Sequence, residues 1–98
     1  MKIVWSPLAI DRAVEQARFI AQDKRGAAEK WLEGLFSQAE KLEVFPKLGR
    51  VVHEVKDPEL RELDYGKYRI IYRIESRQIS VLTVRHSRRL LDLEELEG

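Results

Sequence analysis

The stretch that most constrains the fold runs from Leu60 to Leu90, LRELDYGKYRIIYRIESRQISVLTVRHSRRL. It holds three short extended runs split by two turns. Tyr65-Gly66-Lys67 is the first turn, where glycine can take the positive φ that a tight hairpin demands. Tyr68, Ile70, Tyr72 and Ile74 then alternate with Lys67, Arg69, Arg73 and Glu75, and Ile71 is the one apolar exception. A period of two predicts a strand with one buried and one wet face. Glu75-Ser76-Arg77-Gln78 is the second turn. Ile79 to Val84 is apolar or small on both sides, as in a strand covered on both faces. That run leads directly into Arg85-His86-Ser87-Arg88-Arg89. A strand that delivers several cations to one place is a good mount for binding phosphate or a carboxylate.

Upstream, the periodicity is helical. Lys2-Ile3-Val4-Trp5 reads as a short strand, and Ser6-Pro7 as an N-cap followed by proline at the first helical position. Leu8, Ile10, Ala13, Val14, Ala17, Ile20 and Ala21 recur at helical spacing, predicting a helix over Pro7–Asp23. Ala28, Trp31, Leu32, Leu35, Phe36, Ala39 and Leu42 predict a second over Ala27–Val44, ended by Pro46. The short loop between them makes an antiparallel helical hairpin. Val51 to Val55 reads as an edge strand. Leu90, Leu91, Leu93 and Leu96 read as a short closing helix. The expected fold is α+β: one domain over 1–98, with an N-terminal strand and helical hairpin packed on an antiparallel sheet. The first strand is expected to pair inside the later meander, because alone it could not persist.

Composition narrows the function. Ninety-eight residues with 44% hydrophobic content fit one small globular domain. Cysteine is absent, which excludes disulfides and thiolate metal sites and fits a reducing, cytoplasmic location. No apolar run approaches the roughly 18 residues of a membrane span. Nor does the N-terminus carry the apolar core of a secretory signal. His53 has no His, Cys or acid at ligand spacing, and the glycines form no phosphate loop, so neither a metal nor a cofactor is expected. The net charge is only +1, yet four arginines and no acid lie between Ser76 and Leu91, before the acidic Asp92, Glu94, Glu95 and Glu97. A basic stripe therefore sits beside an acidic end.

The order of elements resembles the RelE/ParE superfamily of bacterial toxins. The resemblance rests on Leu60-Arg61-Glu62-Leu63, on Tyr68-Arg69-Ile70-Ile71-Tyr72-Arg73-Ile74, and on Val81-Leu82-Thr83-Val84-Arg85-His86-Ser87-Arg88-Arg89. Trp5-Ser6-Pro7 and Phe45-Pro46-Lys47-Leu48-Gly49 resemble the ParE side. The likeness implies the toxin of a type II toxin–antitoxin, plasmid-stabilisation-type module that arrests growth and is neutralised by a protein antitoxin. ParE-like members poison DNA gyrase; RelE-like members cut messenger RNA on the ribosome without a metal. RelE-like members carry an arginine where Asp64 stands, and a tyrosine near the C-terminus where Leu90-Leu91-Asp92-Leu93 has none. Both departures favour the ParE-like action over the ribonuclease.

The candidate cluster that engages the target, or that catalyses if the chain is a ribonuclease, is Arg85, His86, Arg88 and Arg89 with Arg61. A ribonuclease needs a proton shuttle and cations for the phosphorane charge, and His86 titrates near neutrality. Leu90, Leu93 and Leu96 are the candidate antitoxin-binding residues, in a heteromeric complex. The plainer readings stand beside these. The arginines could simply protect a sheet edge from aggregation. Arg69 and Arg73 could be surface charges. The basic stripe alone would also serve a non-toxic nucleic-acid-binding module with steep salt dependence, and a structural partner protein would have no effect on growth.

Overall fold

The computed structural model describes residues 1–87 and 93–96. Strand β1 (Lys2–Trp5) leads through Ser6 into helix α1 (Pro7–Ala21). The Ser6 hydroxyl accepts the Ala9 amide at 3.0 Å, and Pro7 occupies the first turn, as the Ser-Pro pair predicts. Helix α2 (Arg25–Glu40) follows after three residues and runs into a 3₁₀ turn, Lys41–Glu43. Both helices end earlier than Asp23 and Val44, because the chain tightens into turn geometry before the proline is reached. Then come β2 (Arg50–Val51), β3 (Leu60–Tyr65), β4 (Tyr68–Ile74) and β5 (Gln78–His86), and a 3₁₀ turn at Leu93–Leu96. The edge strand expected over Val51 to Val55 is shorter and lies one residue earlier. Val52 then turns inward, and loop residues through Glu59 fold back over the sheet.

The five strands form one sheet in the order β1-β5-β4-β3-β2. Pairing is antiparallel except at β1, which lies parallel to β5 with Lys2 opposite Gln78 and Trp5 opposite Val81. The first strand therefore joins the meander at its edge rather than inside it. At the β3–β4 hairpin Gly66 has φ 57°, while no other residue among those described is positive. That is the pattern of a type II′ turn, whose twist matches that of the strands.

The helices cover one face of the sheet. Ala9, Ala13 and Ala17 form the buried line of α1, where small side chains let the helix approach closely. Leu35, Leu42, Ile70, Tyr72, Ile79 and Val81 fill the space between, all at or near zero exposure. Each such aliphatic side chain contributes about 1.5–3 kcal/mol by leaving water. The second face is also covered, contrary to the wet face that the alternation predicts. Val52, Leu60, Ile71 and Leu82 form a second apolar cluster there, with Val55 and Leu96 against it. Arg69, on this face, is 3% exposed.

One irregularity sets the direction of every side chain at the end of β5. Ile71 pairs with Thr83 but Tyr72 pairs with Val81, so Leu82 is an extra residue, a β-bulge. Leu82 and Thr83 consequently share the face away from the helices, and the alternation beyond them is shifted by one. Val84 and His86 turn towards the helices. Arg85 turns away from them.

Candidate target-binding site

His86 ends β5 opposite Tyr68 on β4, and the two rings meet edge-to-face at 5.5 Å. Tyr68 in turn meets Trp31 of α2 at 5.4 Å. Next to this pair, α1 and the end of β5 enclose an open cleft of about 420 Å³. It is lined by Arg12, Glu15, Gln16 and Phe19 of α1 together with Tyr68, Val84, Arg85 and His86. Phe19 stands at its mouth with 68% of its surface exposed. The helical stripe read from the sequence omits Phe19, and its exposure is the reason. A bulky aromatic residue off the buried line of its helix was the signal available.

The predicted cluster is not one surface. His86 and Arg85 are chain neighbours but point to opposite faces. Arg85 is ion-paired with Glu95, whose other carboxylate oxygen accepts the Thr83 hydroxyl at 2.8 Å. Glu95 is 5% exposed. The residue that looked like a leading cation is thus bound to the chain's own acidic segment. Arg61 is elsewhere as well: it pairs with Tyr72, four positions along the strand from the Tyr68–His86 pair. Its guanidinium donates to the Gly49 and Pro58 carbonyls at 2.9 and 3.2 Å, which fixes the loop beside β2. Arg88, Arg89 and Leu90 lie outside the described residues. Leu93 begins the last 3₁₀ turn, and Leu96 packs on the second apolar cluster, so Leu96 helps to close the sheet face in the isolated chain.

The face away from the helices is a charge network. Arg69 and Arg85 stand directly opposite each other on neighbouring strands, a destabilising pair unless compensated. Arg69 receives Glu54 at 2.7 Å and Glu62 at 2.7 Å. Arg50 holds Asp64 with two parallel bonds of 2.9 and 3.0 Å and reaches Glu62 at 2.8 Å. Arg73 pairs with Asp57 at 2.9 Å. The electrostatics follow. The Arg50 hydrogen bond holds the Asp64 carboxyl below the usual range. The Glu59 amide and then Arg73 do the same to Asp57. The hydrogen bonds that Arg69 donates to Glu54 and Glu62 hold its proton more tightly. Arg69 and Arg73 are therefore not surface charges in search of a ligand.

A family model described as the ParE toxin of the type II toxin–antitoxin system parDE matches residues 3–91. Among solved structures, a chain of the chromosomal ParDE system from P. aeruginosa superposes with a TM-score of 0.72 at 16% identity, covering 88% of this chain and 95% of that one. A chain of the RelBE2 toxin–antitoxin complex from Mycobacterium tuberculosis gives 0.55 at 18% identity, with 87% and 95% covered. The YoeB dimer from Staphylococcus aureus gives 0.59 at 12% identity, with 88% and 95% covered. No curated protein matches. Among the described residues no helix is long and apolar enough to cross a membrane. With the fold shared and the family model spanning nearly all of it, the chain belongs to the ParE toxin family of type II toxin–antitoxin systems, within the RelE/ParE superfamily.

Proposed function

We propose that the chain arrests growth by ParE-like action on DNA gyrase, through protein contact and without hydrolytic chemistry of its own, and that a protein antitoxin neutralises it. The observation that carries this reading is the pairing of the sheet's arginines. Arg50, Arg69, Arg73 and Arg85 all lie on the face away from the helices, and each already holds a carboxylate of the same chain. A metal-independent ribonuclease needs cations directed at the charge that develops on phosphorus. Here the positive charge of those arginines is met in advance by Glu54, Glu62, Asp57, Asp64 and Glu95. A neutralised face is poor for phosphate and well suited to holding a rigid scaffold. The target-engaging surface is then His86, with Arg88 and Arg89 that follow it, and the antitoxin covers it.

The test is induction of the gene alone and with its neighbour in a bacterium, followed by separate measurement of replication and translation. Growth arrest that the neighbour relieves, together with loss of gyrase supercoiling and intact messenger RNA, is the expected result. Arg88→Ala with Arg89→Ala, and separately His86→Ala, are expected to lose toxicity while remaining folded. Surface substitutions usually shift stability by less than about 0.5 kcal/mol, and a thermal midpoint measured on each variant separates loss of function from loss of fold. Ribosome-dependent RNA cleavage that disappears with His86→Ala would replace this reading with the RelE-like one.

A further inference from the structure

The end of the sheet at His86 is fastened to one main-chain carbonyl. The Lys67 carbonyl, in the β3–β4 turn, accepts both the Ser87 amide at 2.8 Å and the Ser87 hydroxyl at 2.6 Å. Lys67 holds that place because Gly66 beside it takes φ 57°. In an antiparallel ladder, pairs that exchange main-chain bonds alternate with pairs that do not. The Ser87 amide bond makes Lys67 and Ser87 a pair of the first kind, so Tyr68 and His86 are one of the second. Side chains stand closest in such a pair, which brings the two rings to 5.5 Å. The next bonded pair inward is Arg69 with Arg85. His86 is therefore held between two rungs, and Ser87 is the outer one. Its side chain is exposed and buries no apolar surface, so the second bond to Lys67 is what it contributes. Tyr68 is braced from behind. It meets Trp31 at 5.4 Å, and the Trp31 carbonyl accepts the Tyr65 hydroxyl at 2.8 Å.

We propose that Ser87 is a positioning residue for the target-engaging surface: through the Lys67 carbonyl it holds the His86 ring against Tyr68 in one orientation. This inference rests on the reading of His86 as part of that surface and adds to it the means by which the ring is set. The ends of strands fray first, and a pair without main-chain bonds of its own frays as soon as the rung outside it opens. The Ser87 hydroxyl keeps that rung shut, because it occupies the carbonyl that water would otherwise take. A short hydroxyl side chain is suited to this, since it reaches main-chain groups close to its own residue. A ring already ordered before contact gives up less rotamer freedom on binding, and the target is held more tightly for it. The β3–β4 turn thus acts on the end of β5, a strand to which it is not directly joined in sequence.

The experiment uses the full chain and measures the thermal midpoint, the His86 ring-proton shifts and the expression level needed for growth arrest. In Ser87→Ala the amide bond stays and the hydroxyl bond goes. The midpoint is expected to hold, because the site is exposed. The His86 ring protons are expected to move towards the shifts of a histidine with no aromatic ring beside it. The expression level needed for arrest should rise about fivefold, the equivalent of one net side-chain hydrogen bond. Ser87→Thr keeps a hydroxyl and is expected to restore both the ring shifts and the toxicity. Wild-type ring shifts in Ser87→Ala overturn the proposal, and so do moved ring shifts with full toxicity. A loss that Ser87→Thr shares equally overturns it too, since the hydroxyl is then not the cause. A lowered midpoint in Ser87→Ala makes the serine merely structural and has the same effect. Full toxicity in His86→Ala counts against the reading of His86 itself. Toxicity lost in His86→Ala but kept in Ser87→Ala counts against the Ser87 bond alone.

Discussion

Tyr72→Phe is expected to destabilise the protein far more than the loss of one oxygen atom implies. Tyr72 has no exposed surface, and its hydroxyl works in two directions. It donates to the Pro46 carbonyl at 2.6 Å and accepts the Gly49 amide at 3.0 Å. Burial pushes its phenol above the usual tyrosine range, which keeps the proton in place for the first of these bonds. The two bonds tie the loop after α2 to the centre of the sheet. Each is worth about 0.5–1.5 kcal/mol net, and a buried amide left without an acceptor costs about 1–3 kcal/mol. The sum gives about 2–3 kcal/mol, because the Pro46 carbonyl is less buried and can turn to water. For a domain of this size each kcal/mol moves the thermal midpoint by about 4–8 °C. The expected fall is therefore roughly 8–24 °C. Tyr65→Phe is the control. That hydroxyl makes a single bond, to the Trp31 carbonyl at 2.8 Å, in a partly exposed place, so its loss should be about 1 kcal/mol. Calorimetry on both variants, with amide exchange at Gly49, checks the reasoning. A fall for Tyr72→Phe no larger than for Tyr65→Phe, with Gly49 still protected, would refute it.

Three further outcomes follow from the same geometry. In Gly49→Ala the added methyl would lie 2.4 Å from the Glu62 carbonyl oxygen, which is backbone and cannot swing away, so a loss of about 1–3 kcal/mol is expected in chemical denaturation. Glu62→Ala removes a side chain that is 2% exposed and that serves both Arg50 and Arg69. Taking this carboxylate from the buried Arg69 should cost about 3–5 kcal/mol and expose the second apolar cluster to a fluorescent hydrophobic dye. Finally, Asp57 and Asp64 have folded pKa values below 3.8, so the stability they contribute is complete above that pH and is lost as pH falls through the lower folded values. Asp64→Asn should flatten the acid limb of the stability curve; an unchanged slope would exclude the Arg50 pair as its cause.

Much of this fold was open to reading because its signals are local. Ser6-Pro7 states the start of α1, and Gly66 states the hairpin. The change from helical to two-residue spacing after Pro46 separates the layers. Arg69 was hidden for the opposite reason. In an alternating strand a charge reads as solvent-facing, and the carboxylates that bury it, Glu54 and Glu62, lie on other segments. The bulge was hidden because Val81-Leu82-Thr83-Val84 is small or apolar throughout, so no period exists there for an extra residue to break. That one residue decides which of Arg85 and His86 faces the helices, and no count of positive charge along the chain reveals it. Arg61 looked like part of the cluster because sequence distance along a hairpin conceals which end of the sheet a residue occupies.

The parallel pairing of β1 with β5 has a temporal consequence. Lys2 to Trp5 leave the ribosome long before their partners, Gln78 to Val81. The Ser6 hydroxyl that caps α1 likewise waits for the Leu82 carbonyl. Contacts of such long sequence separation form late, after the chain entropy of the whole loop has been overcome. The hairpin of helices and the β3–β4 turn can form during synthesis, but the sheet cannot be completed until β5 has been made. Until then the strand that carries His86 has no finished sheet to hold it.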